Sequence, residues 1–294
     1  MQVQSSFNSE KVEKGALYLV PTPIGNLDDM TFRAIETLKN ATMILAEDTR
    51  HTIKLLNHFE IDVPMQSFHE HSRLDQIDRF IEQLQEGQNL ALVSDAGMPL
   101  INDPGHPLVQ ACLLNDLNVI ALPGANAALT ALIASGLSSQ QFTYYGFFPR
   151  GSKEQEQVLD SVGSRDETAI FYESPFRIRK AVSAIAKHLS GNVEVVIARE
   201  LTKRYEEYLR GTAEELVAYL AEHPLKGECV LLIEGGRADH STATDEAEQL
   251  PLRDQVLLVM ATQGIQAKEA IKQVAKQRGV KKQDVYQAYH QLSE

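Results

Sequence analysis

The sequence predicts an α/β fold: two α/β domains followed by a small C-terminal helical module of helix-turn-helix type. Three observations predict it. From Ala16 to Glu234 short apolar runs alternate with segments of helical periodicity, the pattern of βαβ units around a mostly parallel sheet. The runs are continuously apolar, as strands covered on both faces are. After Pro251 the strand-like runs stop and three short amphipathic helical patterns follow.

Taken in order, residues 1–15 are polar and read as a disordered tail, without the apolar stretch of a signal peptide. Ala16–Val20 is the first strand. A helix from about Asp29 to Lys39 places Phe32, Ile35 and Leu38 on one face, with Asp28 or Asp29 as its cap. Ala41–Ala46 is a strand, 52–59 and 73–86 are helices, and Asn89–Ser94 is a third strand. A helix over 105–115, a strand at Asn118–Leu122 and a small-residue helix at Ala125–Ser135 complete an N-terminal α/β domain of residues 16–137. Ser138–Gln141 connects it to a C-terminal α/β domain, 138–236. Its strands are Phe142–Phe147, Thr168–Tyr172, Val193–Ala198, Tyr205–Arg210 and Cys229–Glu234, with helices at 176–189 and Ala213–Ala221. Residues 237–251 are polar, lack apolar periodicity and form a linker. In 252–294, helices Leu252–Thr262, Ala267–Arg278 and Lys281–Leu292 are expected. Apolar stripes (Ala270, Ile271, Val274, Ala275; then Val285, Ala288, Tyr289) flank the turn Gly279-Val280, which suggests a helix-turn-helix.

A chain of 294 residues with 43% hydrophobic and 23% charged residues suits a folded protein with a sizeable core. Its 28 Lys+Arg against 40 Asp+Glu give −12, which taken whole opposes a nucleic-acid partner. The charge is uneven, however. From Leu252 onward seven basic residues (Arg253, Lys268, Lys272, Lys276, Arg278, Lys281, Lys282) face four acidic ones (Asp254, Glu269, Asp284, Glu294), so this piece carries +3 and residues 1–251 carry −15. RNA contact needs only a local face. The two cysteines, Cys112 and Cys229, are far apart and are expected as buried thiols rather than a disulfide or zinc site. His69-x-His71 lacks a third ligand at motif spacing, so no metal is expected. No apolar run approaches the roughly 18 residues of a membrane span, and a cytoplasmic location is expected.

Chemistry in an open α/β sheet belongs to the loops beyond the carboxyl ends of the strands. The first, Pro21-Thr-Pro-Ile-Gly25, is neither a dinucleotide fingerprint nor a Walker loop. The second, Glu47-Asp48-Thr49-Arg50-His51, crowds charge at one strand end; it is able to orient a polar substrate or accept a proton, or simply to cap a helix. The third, Ser94-Asp95-Ala96-Gly97-Met98-Pro99-Leu100-Ile101-Asn102-Asp103-Pro104-Gly105, holds two Gly, two Pro and two Asp, more turn chemistry than a connection needs, and reads as ligand-binding. The fourth, Leu122-Pro123-Gly124-Ala125-Asn126, allows a ligand against a helix N-terminus. The second domain adds Tyr172-Glu173-Ser174-Pro175-Phe176-Arg177, Ala198-Arg199-Glu200-Leu201-Thr202-Lys203 and Lys226-Gly227-Glu228-Cys229. Charge at several strand ends points to a cleft.

Together, LYLVPTPIGNLDDMTFRAIETL, AEDTRHT, LVSDAGMPLINDPG, LPGANAALTAL, FYESPFR and ARELTK look very like the ribosomal RNA small-subunit methyltransferases of the tetrapyrrole-methylase superfamily (class III methyltransferases). The resemblance runs from about Ala16 to Leu292. It implies two α/β domains of the tetrapyrrole-methylase type with S-adenosyl-L-methionine between them, a homodimer, and a helix-turn-helix-like C-terminal module. It also implies 2′-O-methylation of a cytidine in the decoding region of 16S rRNA, in the 30S ribosomal subunit. Motif by motif it implies cofactor contacts at Pro23, Ile24, Gly97, Met98, Ile101, Gly124, Ala125, Tyr172, Leu201 and Cys229. Met98 stands where the superfamily's Gly-Asp-Pro loop has its acid. Methyl transfer to a ribose hydroxyl calls for in-line positioning and a base or nearby cation. Asp48, His51, Asp95, Glu173 and Glu200 are candidate bases, and Arg50, Arg199 and Lys203 candidate cations. Lys276, Arg278, Lys281 and Lys282 are candidates for RNA contact. A tetrapyrrole methyltransferase and a non-catalytic ribosome-binding adaptor remain as alternatives.

Overall fold

The computed structural model describes residues 1, 3–4, 14–69, 74–236, 251–263, 265–278 and 280–290. The expected tail (1–15) and linker (237–251) lie largely outside these residues. By its contacts the chain forms two compact units, Met1–Gly235 and Gly236–Glu294.

The first unit opens with β1 (Ala16–Val20), α1 (Phe32–Asn40), β2 (Met43–Ala46), α2 (Thr49–His58), β3 (Met65–Ser67), α3 (Leu74–Gln85), β4 (Leu90–Val93), α4 (His106–Leu114), β5 (Asn118–Ala121) and α5 (Ala127–Ser135). The strands pair in the order β3-β2-β4-β1-β5, every pair parallel. Side-chain alternation gives each face a core. Val20, Ile44, Ala91 and Val93 pack with Ala34, Leu38 and Leu56, while Leu17, Leu45 and Leu92 pack with Phe68, Phe80, Leu84 and Leu108. The expected start of the first helix is displaced. Asn26 caps a short 3-10 turn at Leu27–Asp29, and Thr31 caps α1 by accepting from the Ala34 amide at 3.1 Å. Neither Asp28 nor Asp29 does so. The short β3 has no apolar run to betray it.

A second five-stranded sheet follows: β6 (Phe142–Phe147), α6 (Ser152–Gly163), β7 (Thr168–Glu173), α7 (Ile178–His188), β8 (Glu194–Arg199), β9 (Glu207–Thr212), α8 (Ala213–Glu222) and β10 (Cys229–Glu234). Its order is β6-β7-β10-β8-β9. Only β6 and β7 pair in parallel; the other three pairs are antiparallel, which corrects the expectation of a mostly parallel sheet. Each helical crossover does join strands of one direction. The β8–β9 link is too short for a crossover and reverses the chain, and β10 then inserts antiparallel between β7 and β8. One face carries α6, α7 and α8 on Phe171, Val195, Ile197, Leu231 and Ile233.

The other face receives α5. Ala128, Ala131 and Leu132 pack on Ile170, Val196, Ala198, Val230 and Leu232. A helix that the sequence assigns to the first α/β domain thus covers the second sheet, which joins the two sheets in one unit.

In the second unit, α9 (Leu252–Gln263), α10 (Ala267–Gln277) and α11 (Lys282–His290) enclose a core of Val256, Ala270, Ile271, Val274, Ala275 and Val285. Among the described residues no helix is long and apolar enough to cross a membrane.

Candidate functional site

Within the first unit, loops from both sheets enclose a cleft of about 580 Å³, a size suited to a small organic ligand. The loop after β1 is fastened to the loop after β4. The Thr22 amide donates to the Gly97 carbonyl at 2.9 Å and the Gly97 amide to the Thr22 carbonyl at 3.0 Å. The Ser94 hydroxyl adds a bond to the Gly97 carbonyl at 2.8 Å. Gly97 has φ +81°, and a Cβ there would stand 3.4 Å from Ile24. Leu100 and Asn102 also adopt positive φ, +69° and +67°, uncommon for residues with side chains and a form of strain that collects at ligand sites. The Tyr144 hydroxyl donates to Asn102 Oδ1 at 3.0 Å, so β6 of the second sheet holds this loop of the first.

The cleft combines apolar walls (Ile24, Met98, Ile101, Leu201, Val230) with a few polar groups (Asp95, Asn102, Asp103, Asn126, Glu173, Glu228). Asp103 is pushed up to about 7 by burial and by the charges of Glu47 and Asp95. Burial also raises the Tyr144 and Tyr172 hydroxyls. Glu173 is 3% exposed; it accepts from the Ser174 amide at 2.6 Å and pairs with Arg177 at 3.2 Å, yet burial still raises its carboxyl. Burial lifts the Cys229 thiol to about 12, so it stays protonated and serves as wall.

A second, shallower pocket of about 480 Å³ is lined by Glu47, Asp48, Thr49, Arg50, Ser67, His69 and Asp95. Asp48 caps α2 by accepting from the Arg50 amide at 2.9 Å and holds the Arg50 guanidinium at 2.8 Å. That pairing draws its carboxyl down to about 2. Asp95 lines both pockets, and its Oδ1 accepts from the Asp48 amide at 3.1 Å.

Of the expected cofactor contacts, Ile24, Gly97, Met98, Ile101, Tyr172, Leu201 and Cys229 line the cleft, while Pro23, Gly124 and Ala125 do not. A Cβ on Gly124 would stand 2.6 Å from Pro21 Cβ, so its smallness serves loop packing. Asn126, the α5 cap, and Ala127 take its place in the wall. Of the expected catalytic residues, Asp95 and Glu173 line the cleft, Asp48 and Arg50 line the adjoining pocket, and His51 lines neither. Arg199, Glu200 and Lys203 do not line the cleft because they are engaged with protein partners. Arg199 bonds Glu207 at 2.9 Å. Lys203 bridges Glu200 at 2.8 Å and Glu228 at 3.1 Å, its stem lying over Gly25, where a Cβ would come 2.4 Å from Lys203 Cγ. Lys281 and Lys282 are exposed at the start of α11, Arg278 is partly exposed, and the Lys276 side chain lies outside the described residues. Asn102, Asp103, Asn126, Phe147, Ser174, Pro175 and Glu228 were not singled out. Loop 94–105, read as ligand-binding, was the signal for the first two.

The sequence profile of the Tetrapyrrole (Corrin/Porphyrin) Methylases matches residues 16–217. The chain is 49% identical over 294 residues to "Ribosomal RNA small subunit methyltransferase I" of Streptococcus pyogenes serotype M1, covering 99% of this chain and 100% of that protein. It is 50% identical over 291 residues to the protein of that name from Halalkalibacterium halodurans, with the same coverage. A solved diphthine synthase superposes with a TM-score of 0.59 at 13% identity, over 75% of this chain and 90% of that one, a likeness of fold alone.

Proposed function

Since the chain belongs to the tetrapyrrole methylases, and among them to the ribosomal RNA small subunit methyltransferase I family, we propose that it methylates the 2′-hydroxyl of a cytidine in the decoding region of 16S rRNA. The observation that carries this reading is the length of the match. About half the residues agree with ribosomal RNA methyltransferases over 99% of the chain, through the helical module that lies beyond the 16–217 match to the wider family. The assembled 30S subunit as substrate, a homodimer and a cytoplasmic location belong to the same reading.

The cleft suits S-adenosyl-L-methionine, the methyl donor of this family. Ile24, Met98, Ile101, Leu201 and Val230 offer an apolar bed for an adenosine, and the acidic residues Asp95, Asp103 and Glu228 favour a ligand that carries positive charge. Met98 in place of an acid leaves hydrogen bonding at that point to the backbone. Gly97, with φ +81°, lets that backbone come close. Bound there, the cofactor supplies an electrophilic methyl group. The protein supplies positioning, which accounts for much of the rate of a methyl transfer, and walls that exclude water. The adjoining pocket, with Arg50 89% exposed at its edge, suits a phosphate of the substrate strand. Asp95, common to both pockets, marks the junction where nucleotide and cofactor meet.

The test is transfer of labelled methyl from S-adenosylmethionine, side by side, to 30S subunits and naked 16S rRNA from a strain lacking this enzyme. Nuclease digestion and mass spectrometry then locate the product. A 2′-O-methylcytidine in the decoding region is expected. Transfer to uroporphyrinogen instead, or cofactor binding without turnover on either RNA, would sink the reading.

A further inference from the structure

The site contains more acid than binding a cofactor requires, and the acids differ in what they are free to do. Asp48 is taken up by Arg50 and the cap of α2. Glu200 is held by Lys203 at 2.8 Å and by the Glu228 amide at 3.0 Å. Glu173 is buried against Arg177 and the Ser174 amide. Asp95 accepts the Asp48 amide. Asp103 differs: it lines the cleft and, among the described residues, no hydrogen bond or ion pair reaches its carboxyl group.

We propose that Asp103 is the catalytic base, the group that takes the proton of the hydroxyl being methylated; the inference rests on the ribose-methylation reading above. The charged and titratable groups that bear on Asp103 come from four elements. Glu47 follows β2, Asp95 follows β4, Tyr144 lies on β6 and Tyr172 on β7. None of them is a cation. Two like charges and partial burial make proton uptake favourable, and the carboxyl is held near 7, the range in which a general base works best at neutral pH. The loop also fixes its place. Asn102 is held by Tyr144 at 3.0 Å in a positive-φ conformation. On the other side Gly105, at φ +142°, is packed so closely that a Cβ would stand 2.7 Å from Leu92 Cδ2.

The step balances with the two substrates alone. The hydroxyl O–H bond breaks and its proton passes to an Asp103 carboxylate oxygen. The oxygen forms the new O–C bond as the methyl C–S bond breaks, and that electron pair remains on sulfur. The products are a methyl ether, a neutral thioether and protonated Asp103, which returns its proton to water.

The experiment compares wild type, Asp103→Asn and Asp103→Glu in single-turnover methyl transfer to 30S subunits from pH 5 to 9. Equilibrium binding of S-adenosylhomocysteine and a ¹³C-NMR titration of aspartate carboxyls accompany it. The expected wild-type rate rises with pH along an acid limb and then levels. Asp103→Asn should lose about 10²–10⁴-fold together with that limb, Asp103→Glu should recover part of the rate, and S-adenosylhomocysteine affinity should stay within about threefold. In the free wild-type protein one carboxyl, absent from Asp103→Asn, should titrate near 7. If wild type methylates the subunit and Asp103→Asn keeps its rate within threefold or retains the acid limb, Asp103 is not the base while the enzyme reading stands. If wild type transfers no methyl group to the subunit, the reading fails and this inference with it, even with the Asp103 titration intact.

Discussion

At Gly105 the backbone takes φ +142° and the surroundings leave no room for a methyl group: Leu92 Cδ2 lies 2.7 Å and Leu100 Cδ1 3.1 Å from where a Cβ would be. Leu92 is a core residue of β4 and cannot give way. Gly105→Ala should therefore cost about 2 kcal/mol or more from backbone strain and overlap, read by urea unfolding, and weaken S-adenosylhomocysteine binding through the same loop. An unchanged unfolding midpoint would show that the loop relaxes freely. Asp103 in that loop carries a linked cost. Its carboxyl lies at about 7 against 3.8 when unperturbed, so between these values the folded state binds more protons than the unfolded one. Its contribution therefore makes stability fall as pH rises through that window. Asp103→Asn should then be more stable than wild type by about 1–2 kcal/mol at pH 8, after discounting for its partial exposure, and nearly equal to it at pH 4. A destabilised variant at pH 8 would contradict this. At this scale the sequence was legible where turn chemistry was dense: loop 94–105 stood out by its Gly, Pro and Asp. Asp103 itself did not, because what sets it apart is the approach of Glu47 from another strand end. Arg199, Glu200 and Lys203 misled for the opposite reason. A charge beside a strand looks the same in sequence whether its partner is a ligand or, as here, Glu207 and Glu228.

Among the elements, α5 has an unusual position. It leaves the first sheet after β5, yet buries Ala128, Ala131 and Leu132 on the second. Its carboxyl end is held by Arg210 on β9, which donates to the carbonyl of Ser135 at 2.9 Å and to that of Ala134 at 2.6 Å and stacks over Tyr208. Helix carbonyls without intrahelical partners need such donors, and a cation at a helix C-terminus also meets the dipole favourably. Arg210→Ala should cost about 1–2 kcal/mol, fewer than two fully buried charged hydrogen bonds would, and Arg210→Lys should restore only part because an ammonium lacks the two-pronged fork. Equal stability of wild type and Arg210→Ala in urea would refute this role. The strands on either side of α5 were mostly legible, because buried strands read as apolar runs. Their pairing was not. Direction across each helix followed from the crossover rule, but nothing in Cys229–Glu234 marks it for insertion between β7 and β8 rather than the sheet edge. Helix α6 escaped notice because Lys153, Glu154, Gln155, Glu156 and Gln157 open it with no apolar stripe.

For the whole molecule, charge is divided between the two compact units. A total of −12 becomes −15 on residues 1–251 and +3 from Leu252 onward. The acidic part suits a cofactor that carries positive charge and discourages indiscriminate RNA binding, leaving recognition to a shaped target and a local basic face. Lys281 and Lys282 fall at the first turn of α11, where the helix dipole disfavours positive charge; acids there would serve the helix better. That placement makes sense if the two lysines meet phosphate. Reversing both, Lys281→Glu with Lys282→Glu, takes the module from +3 to −1, since each change shifts the charge by two. Because glutamates at that turn favour the helix, lost RNA affinity could not be assigned to unfolding. We expect 30S affinity to fall about tenfold at low salt and the slope of log affinity against log salt to drop by about 1–2, the counterions that two phosphate contacts release. S-adenosylhomocysteine affinity should be unchanged, because the cofactor cleft lies within the first unit. An unaltered 30S affinity and salt slope would assign the lysines to a solvated helix face and return RNA recognition to the loops around Arg50.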